Sequence, residues 1–148
     1  MALNNPKTGL NHAPAYQISG IPFVTSSVEG ELTTSQNIVK VSFPFVTSTI
    51  RVECSGSASG ATLIRVGFTE NGVRSNPNPN YLLTLSNAGL NYGTPALPVR
   101  CKEIYLMKDT NSGNNVGFIV SAGLTTIDRN QLPTLTASHG SAIFNGVG

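Results

Sequence analysis

Two histidines, two cysteines and seven carboxylates are the groups from which an active site or a metal centre would have to be assembled in this 148-residue chain. A zinc site needs three or four Cys, His or carboxylate ligands, usually at short spacing. His12 and His139 lie in polar stretches without such neighbours, and Cys54 and Cys101 do not belong to a Cys-x-x-Cys pair. The acids Glu29, Glu31, Glu53, Glu70, Glu103, Asp109 and Asp128 follow neither the ladder of an EF-hand loop nor the helix of a zincin. A nucleophilic serine on a sharp strand-to-helix turn would show as Gly-x-Ser-x-Gly, which is missing. Gly56 and Gly60 are not followed by Lys-Ser or Lys-Thr, so no phosphate cradle is expected there. No catalytic residue, no metal and no cofactor is therefore expected. A carboxylate pair brought together only by folding is the one enzymatic arrangement that spacing leaves open.

Charge narrows the partners. Charged residues make up 11% of the chain, against about 25% in an average protein, and nine Lys and Arg against seven Asp and Glu leave a net charge of +2. Binding to nucleic acid needs a basic face that displaces counterions from several phosphates. The cations Lys7, Lys40, Arg51, Arg65, Arg74, Arg100, Lys102, Lys108 and Arg129 are scattered instead, so no nucleic-acid partner is expected. No long apolar run follows the first residues, and neither a secretory leader nor a membrane anchor is expected. A surface this poor in charge suits a protein covered by others in use.

The elements that would position any such site are short strands. Fifteen Gly and nine Pro, with abundant Ser, Thr and Asn and no Trp, describe strands joined by turns. Val39, Val41 and Phe43 alternate with Ile38, Lys40 and Ser42, Ile50, Val52 and Cys54 with Arg51 and Glu53, and Ile64, Val66 and Phe68 with Leu63, Arg65 and Gly67. Further strands are expected over residues 81–85, 97–101, 103–108 and 116–123, with a polar hairpin turn over 108–115. Gly20 and Pro22 mark residues 15–25 as an edge strand or a bulge. Asn71-Gly72 favours a tight turn, and Asn76-Pro77-Asn78-Pro79-Asn80 reads as an exposed loop. Both cysteines fall in the inward phase of their runs, where a thiol behaves as a small apolar group. The pentapeptide Pro-Phe-Val-Thr-Ser occurs at Pro22 and again at Pro44, and two copies do not make a repeat array. The expected architecture is all-β, an antiparallel sandwich of jelly-roll type. Residues 1–14 are expected to form an extended arm, 15–142 a single sandwich domain and 143–148 a tail. Leu3 and Leu10 in the arm, with Ile143, Phe144 and Val147 in the tail, are the candidate assembly contacts.

Four stretches carry a resemblance: Ala15 to Ser26, Arg65 to Val73, Arg100-Cys101-Lys102 and Phe144 to Gly148. Across nearly the whole chain the sequence resembles small structural proteins of marine tailed bacteriophages, of cyanophage type. The resemblance implies a capsid decoration or cement subunit, a trimer seated over junctions between major capsid subunits. It implies a place on the capsid exterior of a virion assembled in the host cytoplasm. No catalytic residue is carried over with it. A tail or baseplate module, or a sandwich that binds host glycans, is the alternative. Sugars stack on exposed aromatics, and without Trp the candidates are Tyr16, Tyr81, Tyr92 and Tyr105, which strand packing would equally explain.

Overall fold

Alternating apolar runs become strands because period two places one side chain in two on a buried face. The computed structural model describes residues 9–17, 20–27, 32, 37–56, 62–74, 80–87, 90–110, 112 and 116–133. Its strands are β1 (Ile21–Ser26), β2 (Ile38–Ser42), β3 (Phe45–Gly56), β4 (Thr62–Gly67), β5 (Leu82–Asn87), β6 (Leu90–Tyr92), β7 (Glu103–Lys108) and β8 (Val116–Asp128). Single helical turns, α1 (Pro14–Gln17) and α2 (Glu70–Val73), and a 3₁₀ turn (Arg129–Gln131) complete the described elements. The fold is all-β. One sheet has three strands in the order β1-β8-β3, the other five in the order β2-β7-β4-β5-β6, and every strand pair is antiparallel.

The core lies between the two sheets. Ile50, Val52 and Cys54 of β3 and Phe118, Val120, Ala122 and Leu124 of β8 face Val41, Ile64, Val66, Ile104 and Leu106 of the larger sheet. Phe23 of β1 meets Phe43 edge to face, with ring centroids 5.2 Å apart. Full burial of one such side chain is worth about 1.5–3 kcal/mol, so this cluster dominates the stability of the fold. The register between β3 and β8 shifts on either side of Thr47. Hydroxyls re-satisfy the backbone at this bulge: Thr125 Oγ1 donates to the Val46 carbonyl at 2.7 Å and Ser48 Oγ to that of Gly123 at 3.1 Å. Gly20 permits the chain ahead of β1 to approach β8 closely, since a Cβ on it would stand 2.8 Å from the Gly123 Cα.

Several expectations are corrected. Residues 97–101 are not a strand: only Leu97 bridges to Ile50, and Pro98 removes the next donor. Asn71-Gly72 lies in the helical turn α2 rather than a tight turn, because Thr69 caps it by accepting a hydrogen bond from the Gly72 amide at 3.0 Å. The link over 108–115 is not a hairpin, since β7 and β8 belong to different sheets. Residues 9–14, expected in an extended arm, form turns leading into α1, held by hydrogen bonds within the chain. The two Pro-Phe-Val-Thr-Ser copies face opposite ways: Val24 is exposed where Val46 is buried. Strands of equal sequence are thus phased by their neighbours.

Candidate assembly surface

Four of the five described carboxylates, Glu53, Glu70, Glu103 and Asp109, are engaged in ion pairs. Arg65 Nε donates to Asp109 Oδ2 at 2.6 Å with both side chains 5% exposed, and Arg65 Nη1 donates to the Val73 carbonyl at 3.3 Å. Arg65 sits on the outer side of β4, a position alternation assigns to solvent, and is buried because α2 and Tyr81 cover that side of the sheet. Gly67 allows the cover to approach: a Cβ there would lie 2.6 Å from Val73 Cγ1. Glu103 Oε2 takes Lys40 Nζ at 2.8 Å and Arg129 at 3.6 Å, and Tyr105 donates to its other oxygen at 3.1 Å. Burial alone would raise the Glu103 carboxyl. The hydrogen bonds from Lys40 and Tyr105, with the charges of Lys40 and Lys102, outweigh it and hold the group below its ordinary value. The same hydrogen bond, donated to Glu103, holds Lys40 above its own. Glu53 pairs with Arg51 at 2.9 Å and Glu70 with Arg74 at 2.7 Å, while Asp128 accepts from the Asn130 amide at 2.8 Å.

Among the described residues, no group of three His, Cys, Asp or Glu side chains could hold a metal ion. His12 is exposed in a turn, and His139, Glu29 and Glu31 lie outside the described residues. Cys54 and Cys101 are buried free thiols, each pushed up to about 11 chiefly by burial. Such thiols are poor nucleophiles, because the thiolate is the reactive form. The described tyrosines are engaged by cations of their own chain: Arg100 lies 5.1 Å from the ring centroid of Tyr16, Arg65 4.6 Å from that of Tyr81 and Lys40 5.6 Å from that of Tyr105. One face of each ring is therefore already taken. The Tyr92 side chain is outside what is described. No helix among the described residues is long and apolar enough to cross a membrane.

Of the candidate assembly contacts, Leu3, Ile143, Phe144 and Val147 lie outside the described residues. Leu10 is half-buried, and its carbonyl accepts from Arg100 Nη1 at 2.9 Å and from the Tyr16 hydroxyl at 3.0 Å. This part of the expected arm is fastened to its own domain, by an arginine 90 residues away in sequence. Gly9 lies against Gln131, with a Cβ there 3.6 Å from Oε1, and Lys102 Nζ donates to the Leu132 carbonyl at 3.1 Å. Gly9 and the 3₁₀ turn Arg129–Gln131 are therefore neighbours. A cleft of ≈ 270 Å³ opens beside them, lined by Phe68, Cys101, Leu132 and Pro133 under the stems of Arg100 and Lys102.

Sequence reasoning missed a second surface. The outer side of the three-stranded sheet consists of Pro22, Val24 and Ser26 on β1, Gly117, Ile119, Ser121 and Gly123 on β8, and Thr49, Arg51 and Glu53 on β3, aligned row by row. Val24 is 70% exposed and Ile119 37%. The charges of this face, Arg51 and Glu53, neutralise each other. On the five-stranded sheet α2 and Tyr81 lie over Arg65, while Leu83, paired with Arg65 on the same side, is 53% exposed. The phase of Val24 against the inward Phe23 was the available signal, but alternation on an edge strand does not say which face is free. No family model, no curated protein and no solved structure matches the chain.

Proposed function

We propose that the chain is a non-enzymatic structural protein of a virion, a decoration or cement subunit that stabilises contacts between major capsid subunits on the capsid exterior. The observation that carries an assembly role is the bare, nearly neutral outer side of the three-stranded sheet, with Val24 and Ile119 exposed among small residues. Apolar groups presented together on a flat face and flanked by polar residues are the anatomy of a protein contact. The virion setting and the trimer rest on the resemblance of the four stretches quoted above.

A jelly-roll winding is supported by the strand order. β1 to β4 alternate between the sheets, β7 and β8 do so again, and β1-β8-β3 lies over β2-β7-β4-β5. After β6 the chain returns to the free side of β3, where Thr94 and Leu97 bond to Val52 and Ile50. Double-sheet jelly rolls are common in capsid proteins and in lectins. The occupied faces of Tyr16, Tyr81 and Tyr105 favour the capsid role over glycan binding.

Particles assembled without the protein are expected to lose infectivity at lower temperature and on osmotic shock, and to regain resistance when it is added back. Unchanged resistance, with the protein found on the tail, overturns the cement reading.

A further inference from the structure

The two edges of the three-stranded sheet are treated differently. Along β3 the chain closes its own edge: Ile50 and Leu97 exchange backbone hydrogen bonds at 3.0 and 2.8 Å, and Thr94 donates to Val52 at 2.8 Å. The outer edge of β1 has no strand beside it among the described residues. Ser27 donates to the Phe118 carbonyl at 2.9 Å. Antiparallel alternation then turns the amides of Phe23 and Thr25 towards β8, and the N–H and C=O groups of Val24 and Ser26 outward. Pro22 shares the outward phase and contributes a carbonyl but no donor. Edge strands are ordinarily guarded by a charge, a proline, a bulge or a cover, and among the described residues Pro22 is the one such device on β1. β2, at one edge of the other sheet, has such a guard in Lys40, held at its centre by Glu103. β1, Ile-Pro-Phe-Val-Thr-Ser, carries no charge, and Val24 and Ile21 are 70% and 45% exposed.

We propose that β1 is a self-association edge, which pairs antiparallel with β1 of a second copy and continues the sheet across a two-fold axis. The occupant follows from the strand itself. With Val24 opposite the partner's Val24, each donates to the other's carbonyl, and each Ser26 amide meets the partner's Pro22 carbonyl, giving roughly four ladder hydrogen bonds. The donor that Pro22 lacks leaves only the Ser26 carbonyl unanswered. Like charges facing each other destabilise a strand pair, and self-pairing imposes that penalty on any charged edge; β1 avoids it. The Arg51–Glu53 pair stands two strands away and is internally neutral. Six residues of edge cover less than the roughly 800 Å² per side of a standard interface, so the contact is concentration-dependent and gains strength in an array. It stands independently of the virion setting and is separate from the threefold association implied by the resemblance.

The test uses the full chain carrying Val24→Cys. Residues exchanging both hydrogen bonds across an antiparallel pair have Cα atoms about 5.5 Å apart, within the span of a disulfide. Mild oxidation is expected to convert V24C into a covalent disulfide dimer, increasingly with protein concentration, while S42C on the β2 edge, which keeps Lys40 in place, and the unmodified chain with its buried thiols form no covalent dimer on non-reducing gels. Val24→Lys is expected to abolish concentration-dependent dimerisation in sedimentation while leaving circular dichroism unchanged. V24C that cross-links no faster than S42C, or an unmodified chain that sediments as a monomer at every concentration, overturns the proposal, including the case in which a different protein adds its strand to β1.

Discussion

Replacing Asp109 by alanine removes the partner of a guanidinium from which water is excluded. Arg65 and Asp109 are 4% and 3% exposed, and their 2.6 Å contact joins β4 to the turn after β7. The same guanidinium holds the Val73 carbonyl of α2 and lies against Tyr81, so loss of the carboxylate leaves a buried charge and loosens the cover of the five-stranded sheet. Removing one partner of a buried pair costs about 3–5 kcal/mol. For a chain of this size that is a fall in Tm of roughly 6–20 °C, at about 2–4 °C per kcal/mol. Replacing both partners, as in Arg65→Met with Asp109→Val, removes the uncompensated charge and is expected to cost less than Asp109→Ala alone. Urea unfolding of the single and double variants measures both, and an unchanged slope shows that stability alone has moved. A cost below about 1 kcal/mol for Asp109→Ala, or a double variant that loses the sum of its two singles, refutes the assignment of this pair as a buried clamp.

Native protein at pH 8 is expected to take up no iodoacetamide, and unfolded protein to take up two, because burial holds Cys54 and Cys101 at about 11; a native adduct or a mass showing a bridge contradicts this. Since these values lie above the ordinary 9.0, their share of stability is full below pH 9 and is lost as the pH rises towards 11. Glu103 has the opposite sign: its carboxyl lies below the ordinary 4.5, so its contribution is present above pH 4.5 and lost as the pH falls through its folded value. The urea midpoint of Glu103→Gln is therefore expected to fall less steeply with acid than that of the unmodified chain, and parallel curves contradict the assignment. A chain shortened to residues 9–133 is expected to keep its β circular dichroism and to bind particles less; unfolding places the removed residues in the core, and normal binding removes their assembly role.

Much of the fold was legible because period-two alternation is set by the core. Val41, Ile50, Val52, Cys54, Ile64 and Val66 are buried in the phase the sequence indicates, and residues 103–108 form β7 at the expected bounds. Gly20 and Pro22 pointed to an edge strand or a bulge over residues 15–25; β1 is an edge strand, but it begins at Ile21, and residues 15–17 are helical. Contacts between residues distant in sequence were not legible. Arg65 lies in the polar phase of β4 and is buried only because Asp109, 44 residues on, and α2 meet it there. The same limit hid the anchoring of Leu10 by Arg100. It also hid the exposed pair Val24 and Ile119, which come into adjacent rows only once β1 and β8 are in register. The two Pro-Phe-Val-Thr-Ser segments show why: a local pattern supplies alternation, and the neighbouring strand decides which side is buried.

A reconstruction of an intact particle in which every copy of this chain is located tests the assembly role most directly. The account predicts density for the sandwich on the outer capsid surface, bridging adjacent major capsid subunits. Density confined to the tail, or particles that lack the chain altogether, contradicts it.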